Sequence, residues 1–304
     1  MEIAAIPLLL LVGSLLALQA AANVQLSTAM TSPFGASALQ LGIGAGLLLV
    51  LAATAGSLGA LGLVGELAPW ELTGGLGSAL YITAGVLLFP RIGAIAAVGL
   101  FIAGQMLASL ALDGSGWLGV PREPLDAVAL AGGAAVVAGA WLIVRATGSV
   151  TGARGRDIAI GLIAGGALPV QGAINAQLRA DLDAPIAAGA VSFAVATGAM
   201  ALVLAAALAA GRTPSPRVAP LRGVPWWGWL GGLCGATYVT SVFLSIPEIG
   251  AAPTIALTVA GQQLASVIVD RHGLLRLPRR AIPRSRQVGV AVLLGGVALV
   301  QLGG

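Results

Sequence analysis

Two short stretches carry most of the side-chain polarity that this chain places among apolar neighbours. One is QGAINAQL, from Gln171 to Leu178; the other is QAAANVQL, from Gln19 to Leu26. Each sets a glutamine and an asparagine four residues apart, which puts both on one face of a helix. Gln19 and Asn23 make one such face, and Gln171 and Asn175 the other. Gln25 and Gln177 point elsewhere, towards the helix end. A primary amide brings two donors and an acceptor, and burying it without partners is costly. Two uses fit these residues. Amides can join packed membrane helices, at about 0.6–2 kcal/mol per contact, or they can line a polar cavity that holds a solute. The residues alone leave both open.

The remaining chemistry is sparse and neutral. Gln105 and Gln262 sit in two further apolar runs, and Tyr81 and Tyr238 each offer a flat apolar face with one hydroxyl. The carboxylates Glu66, Glu71, Asp113, Asp126, Asp157, Glu248 and Asp270 fall at the ends of apolar runs or between them. Proton-coupled cation exporters use an acid within the membrane, and none is placed there. The single histidine, His272, lies in a basic loop, so no metal site is expected. No Ser–His–Asp set, Cys/His cluster or HExxH motif occurs. No catalytic residue and no cofactor are therefore expected, and enzyme chemistry is disfavoured. Cys234, the single cysteine, reads as a small buried filler. An amide- and phenol-lined site suits a neutral or zwitterionic solute better than a lone cation.

The elements that must position these groups follow from composition. The 304 residues are 58% hydrophobic and 9% charged, with mean hydropathy +0.99. Soluble domains carry about 25% charge, so the main solvent of this chain is lipid. Ten apolar runs are long enough to span a bilayer, at about 20 residues each. They cover roughly 4–26, 34–56, 71–89, 92–111, 125–145, 157–178, 185–210, 226–246, 251–269 and 285–302. None alternates with the period of a barrel strand, and a helix satisfies its own backbone in lipid. The first run lacks a basic leader and reads as a retained span. Trp70, Trp117, Trp226, Trp227 and Trp229 stand at span entrances, where aromatic residues anchor to the interface. Glycine pairs at spacing four, Gly42/Gly46, Gly161/Gly165 and Gly231/Gly235, suit close helix approach.

The two amide stretches are parts of a duplication. Displacing the chain by 152 residues lays Gln19, Ala21, Asn23, Gln25 and Leu26 on Gln171, Ala173, Asn175, Gln177 and Leu178, and Pro33 on Pro185. Displacing later segments by 157 lays Tyr81 and Thr83 on Tyr238 and Thr240, and Pro90 and Gly93 on Pro247 and Gly250. The same displacement lays AGQMLAS, from Ala103, on AGQQLAS, from Ala260, and Asp113, Gly116 and Pro121 on Asp270, Gly273 and Pro278. Each half holds five spans, and five is odd, so the second half must enter the membrane upside down. The expected architecture is an all-α integral membrane protein, with ten transmembrane helices as two inverted five-helix repeats. The first repeat covers 1–146, a cytoplasmic linker 147–156, and the second repeat 157–304.

Arginine sets the expected orientation, since basic loops stay in the cytoplasm. Thirteen of the fifteen arginines fall on one side, and Arg122 and Arg179 on the other. Both termini are thus expected outside, with the basic loop 271–286 inside, near anionic lipid. The charge of +4 is explained by these loops without nucleic acid. At about 1.5 Å per residue, Gln19 and Asn23 fall in the cytoplasmic third with Gln262, and Gln171 and Asn175 in the outer third with Gln105. Two polar layers are therefore expected, with Tyr81 and Tyr238 near the midplane.

The chain also resembles a known family. Its ten helices in two inverted repeats resemble the drug/metabolite transporter superfamily. Within it, LPVQGAINAQL, WWGWLGGLCGATYVTSV, IPEIGAAPTIALTVAGQQLASVIVDRHGLL and GVAVLLGGVALV look like the YdcZ family of bacterial membrane proteins. QAAANVQL, GGLGSALYIT, FPRIGA and AGQMLASLALDGSG resemble the same pattern more weakly in the first half. The resemblance implies an inner-membrane protein whose relatives occur as single five-helix units, opposite-facing pairs or fused duplicates; this chain looks like a fusion. The halves have diverged: Asp181 and Asp183 stand where the first has Ala29 and Thr31, and Arg91 takes the place of Glu248.

The expected function is secondary transport, outward, of a small polar or zwitterionic metabolite or drug. Gln19, Asn23, Gln105, Gln171, Asn175 and Gln262 would bind or gate, and Tyr81 and Tyr238 would touch the solute. The lipid bilayer is the other partner, and a fused duplicate can act as a monomer. A flippase for a lipid-linked intermediate would instead need a groove open to lipid. A non-transporting assembly subunit would have its amides bonded to one another.

Overall fold

The computed structural model describes residues 2–92, 94–145, 155–277, 279 and 283–303. Ten helices cross the chain's apolar thickness: α1 (Glu2–Met30), α2 (Pro33–Thr54), α3 (Gly75–Ile92), α4 (Ala94–Ser115), α5 (Ala127–Arg145), α6 (Gly155–Leu182), α7 (Pro185–Ala209), α8 (Gly231–Ile249), α9 (Ala251–His272) and α10 (Arg284–Leu302). They form from runs of Ala, Leu, Val and Gly that carry almost no charge, the composition that a helix in lipid requires. Large apolar side chains stay on the outside, among them Leu11, Ile163 and Leu202; in lipid they lose nothing by it. Two expected spans start later than their sequence suggests. Residues 69–74 and 226–229 form short 3-10 turns ahead of α3 and α8. The exposed Trp70 and Trp226 lie in those turns. Most of the expected linker lies outside the described residues, as does Gly93 of the turn between α3 and α4.

The duplication reaches into the turns. Thr31 and Asp183, 152 apart, both adopt a left-handed conformation (φ 54° and 46°), each followed two residues later by a proline at the first position of the next helix. In the first repeat Ser32 caps α2 by accepting the Gly35 N–H at 3.2 Å; in the second, Ala184 cannot. Leu118 and Leu275, 157 apart, both have φ 56°. Two unrelated turns would not share such an unfavourable conformation at matched positions.

The halves interlock. α1 packs against α8 and α9, and its counterpart α6 packs against α3 and α4. α2 meets α7, and α5 meets α10. These last two pairs run antiparallel: Gly44 faces Phe193 while Gly189 faces Leu48, and Gly132 faces Gly296 while Gly139 faces Gly289. Equivalent helices running in opposite directions make the repeats inverted. Both termini emerge at one face, here the terminal face; α5 ends and α6 begins at the other, the linker face.

Glycine permits the tightest crossings. A Cβ at Gly13 would strike the Thr258 carbonyl, and one at Gly165 the Phe101 carbonyl. Added at Gly261 it would strike the Leu10 carbonyl, and at Gly104 the Leu162 carbonyl. Each contact is the repeat-mate of another, so α1–α9 and α6–α4 cross by one device used twice. Of the expected glycine pairs, Gly161 and Gly165 do face α4, while Gly46 faces open space.

Candidate functional site

The amide faces sit where α1 and α6 enter the opposite repeat. In the second repeat Asn175 is fully buried; its amide donates to Ser192 Oγ of α7 at 2.9 Å. Its carbonyl Oδ1 lies against Gly74, where a Cβ would collide, and has no hydrogen bond. Gln171 accepts from Ser78 Oγ of α3 at 2.9 Å. In the first repeat Asn23 donates to Ser37 Oγ at 3.5 Å, and its Oδ1 is likewise buried without a partner. Gln19 lies against Gly235, the counterpart of Ser78. Gln40, the counterpart of Ser192, reaches the Gln19 carbonyl oxygen at 3.4 Å and lies against Gly231.

The hydrogen bonds of these faces do not run to Gln105 and Gln262, with which they were expected to share two layers. Among the described residues no hydrogen bond joins Gln19 or Asn23 to Gln262, or Gln171 or Asn175 to Gln105. Serines on neighbouring helices serve Asn23, Gln171 and Asn175 instead, because the first helix of each repeat wedges between elements that a depth count along single spans does not bring together. Gln262 lies beside Tyr81, and Tyr81 packs on Phe101 with ring centroids 4.7 Å apart. Gln105 Oε1 and the Tyr238 hydroxyl are both buried without a partner. Tyr238 lies beside Thr258, whose own hydroxyl donates to the Ile255 carbonyl at 3.0 Å.

Among the described residues, four of the unpaired buried polar atoms fall in repeat-related pairs. Asn23 and Asn175 are one related pair, and Thr83 and Thr240 another. Tyr238 and Gln105 occupy the place that Tyr81 and Gln262 occupy across the symmetry. Burying such an atom unsatisfied costs about 1–3 kcal/mol, and packing accidents would not repeat in register. Burial, in contrast, breaks the symmetry. Gln171, Asn175, Gln105 and Tyr238 are at most 4% exposed, whereas Gln19, Asn23, Gln262 and Tyr81 are only half-buried. Among the described residues the layer itself holds no Asp, Glu or Arg; those lie at helix ends or between helices. A cleft of about 130 Å³ opens elsewhere, at the terminal face between residues 118–120, the end of α6 and the end of α8, with Gln177 and Arg179 in its wall.

Sequence reasoning passed over Ser78, Ser192, Ser37 and Gln40 as partners. It also set aside Asp113 as a residue at a span end. Asp113 is 2% exposed and accepts the backbone N–H groups of Ala251 and Ala252 at 2.6 Å each. The signal was present, since Asp113 and Asp270 coincide in the repeat.

A ten-helix bundle of two interlocked, inverted repeats around a neutral polar layer defines a multi-pass membrane protein of the drug/metabolite transporter type. A family described as "Putative inner membrane exporter, YdcZ" matches residues 4–142 and again 158–299, and the chain belongs to that family. It is a multi-pass inner-membrane protein of an exporter family. No curated protein matches the chain. A solved crystal structure is similar in fold, with TM-score 0.64 at 18% identity over 98% of this chain and 96% of that one.

Proposed function

We propose that the chain is a secondary transporter that exports a small polar or zwitterionic solute by exposing its neutral layer alternately to either face. One observation carries this reading: buried, unpaired amide and hydroxyl atoms recur in repeat-related pairs, Asn23 with Asn175 and Thr83 with Thr240. An assembly subunit would have used these groups up in bonds between helices, and a solute with its own donors and acceptors supplies the partners that the helices do not. Gln19, Asn23, Gln105, Gln171, Asn175 and Gln262 bind or gate, and Tyr81 and Tyr238 contact the solute. The termini lie outside and the basic loops in the cytoplasm, so the half-buried Gln19 and Asn23 are the first amides that an outgoing solute meets.

The test is a thermal-shift screen of the detergent-solubilised protein against polar, zwitterionic, aromatic and cationic metabolites, with Asn23→Leu and Asn175→Leu in parallel. A ligand at a hundred times its dissociation constant stabilises by about 2.7 kcal/mol. A stabilising solute whose effect disappears in both variants supports the reading. Uptake into vesicles that survives both substitutions at normal expression sinks it.

A further inference from the structure

α4 and α9 are repeat-mates that run antiparallel through the centre, each with an aspartate in its last turn. At the terminal face, Asp113 at the end of α4 holds the start of α9. Both carboxylate oxygens are engaged, at 2.6 Å each, by the N–H groups of Ala251 and Ala252. Gly250, at φ 86°, makes the turn that presents those groups, and a Cβ there would stand 3.5 Å from both oxygens. Carboxylate on a helix N-terminus is a strong pairing, because charge meets unsatisfied donors and the favourable end of the helix dipole. Gln301 of α10 closes the same corner by donating to the Pro253 carbonyl at 3.1 Å.

At the linker face Asp270, near the end of α9, is the counterpart of Asp113, and Ala94 and Ile95 at the start of α4 are the counterparts of Ala251 and Ala252; among the described residues no hydrogen bond joins them. The Asp270 carboxylate instead meets Arg286 of α10 at 2.7 Å, with the arginine side chain 5% exposed. Arg286 is 157 residues after Ala129, so the first repeat has no counterpart to compete for Asp113. Three repeat-related pairs agree with this asymmetry: Gln105, Gln171 and Asn175, towards the clasped terminal face, are buried, and their counterparts Gln262, Gln19 and Asn23 are half-buried.

We propose that Asp113 and Asp270 are alternating latches, each clasping the N-terminus of the other's helix to close its own face, and that Arg286 holds Asp270 away while the terminal face is shut. The two aspartates are positioning residues; neither touches solute. This inference rests on the transport reading for its purpose, but its geometry can be tested without a solute.

The experiment is a spin-label distance measurement in reconstituted, full-length protein lacking the buried Cys234 (Cys234→Ala), with labels at Ser115→Cys and Glu248→Cys. Both positions are exposed, at the ends of α4 and α8 on the terminal face. The parent should give one dominant short distance. Asp113→Asn should cost that distance its dominance in favour of a longer one. Arg286→Gln should do the same by freeing Asp270, and adding Asp270→Asn should restore the short distance. Should Asp113→Asn fold poorly, the Arg286 and Asp270 variants carry the test alone. An unchanged distribution in Asp113→Asn, or an Arg286→Gln effect that persists without Asp270, overturns the latch. Distances that move as stated in a protein with no transport in any vesicle assay leave the latch standing and remove the transport reading.

Discussion

Asn175 is fixed through its donor and left free through its acceptor. Ser192 takes the amide hydrogen at 2.9 Å, while Oδ1 faces the backbone at Gly74. Removing the serine hydroxyl should therefore strand a second atom. Ser192→Ala is expected to lower stability by about 1–3 kcal/mol, the cost of an unsatisfied buried donor, read as a lower melting temperature in detergent. Thr197→Ala, one turn further along α7, loses only a bond to its own helix at the Phe193 carbonyl and should change melting little. Ion pairs differ in the same way. Arg91 meets Asp157 at 3.4 Å with 43% of its side chain exposed, so Arg91→Gln should cost less than about 1 kcal/mol. The amide residues themselves were legible in the sequence, because polarity stands out in an apolar run and the duplication marks it twice. Their partners were not. A serine in a membrane helix is common, and only the threading of α1 and α6 into the opposite repeat shows which serines matter.

Among the helices, close approach depends on a few glycines and not on glycine in general. Gly165 has the Phe101 backbone where a side chain would begin, whereas Gly46 has nothing within 4 Å. Gly165→Val is expected to cost about 1–3 kcal/mol or more through forced separation of α4 and α6, with Gly46→Val close to neutral; denaturation of the two variants side by side checks this. Spacing of four glycines identified Gly161 and Gly165 in advance but missed Gly13, Gly104 and Gly261. None of these has a second glycine four residues away, and their role comes from the partner backbone opposite, which no local pattern contains. The ten spans, by contrast, could be counted from hydropathy because each must cross the same thickness of lipid. Their starts at α3 and α8 shifted where a 3-10 turn preceded the helix and hydropathy could not tell one from the other.

For the molecule as a whole, arginine placement predicts orientation. A reporter that is active only in the cytoplasm should be silent when fused after residue 304 and active when inserted in the basic loop near Arg279. The opposite pattern would invert every assignment of faces made under the proposed function. Topology was the most legible property of all, since an odd number of spans per repeat forces inversion whatever the side chains do. The contacts between α5 and α10 extend that point. Gly132 meets Gly296 and Gly139 meets Gly289, while Gly132 corresponds to Gly289 and Gly139 to Gly296 in the duplication. This is the self-complementary arithmetic of a two-fold dimer, preserved inside one chain. The seam between the halves therefore does not depend on the peptide that joins them. Severed between residues 146 and 155 and expressed as two pieces, the halves should find each other again across this seam, provided that the bilayer receives them facing opposite ways; the covalent link has become a means of guaranteeing that pairing and its stoichiometry.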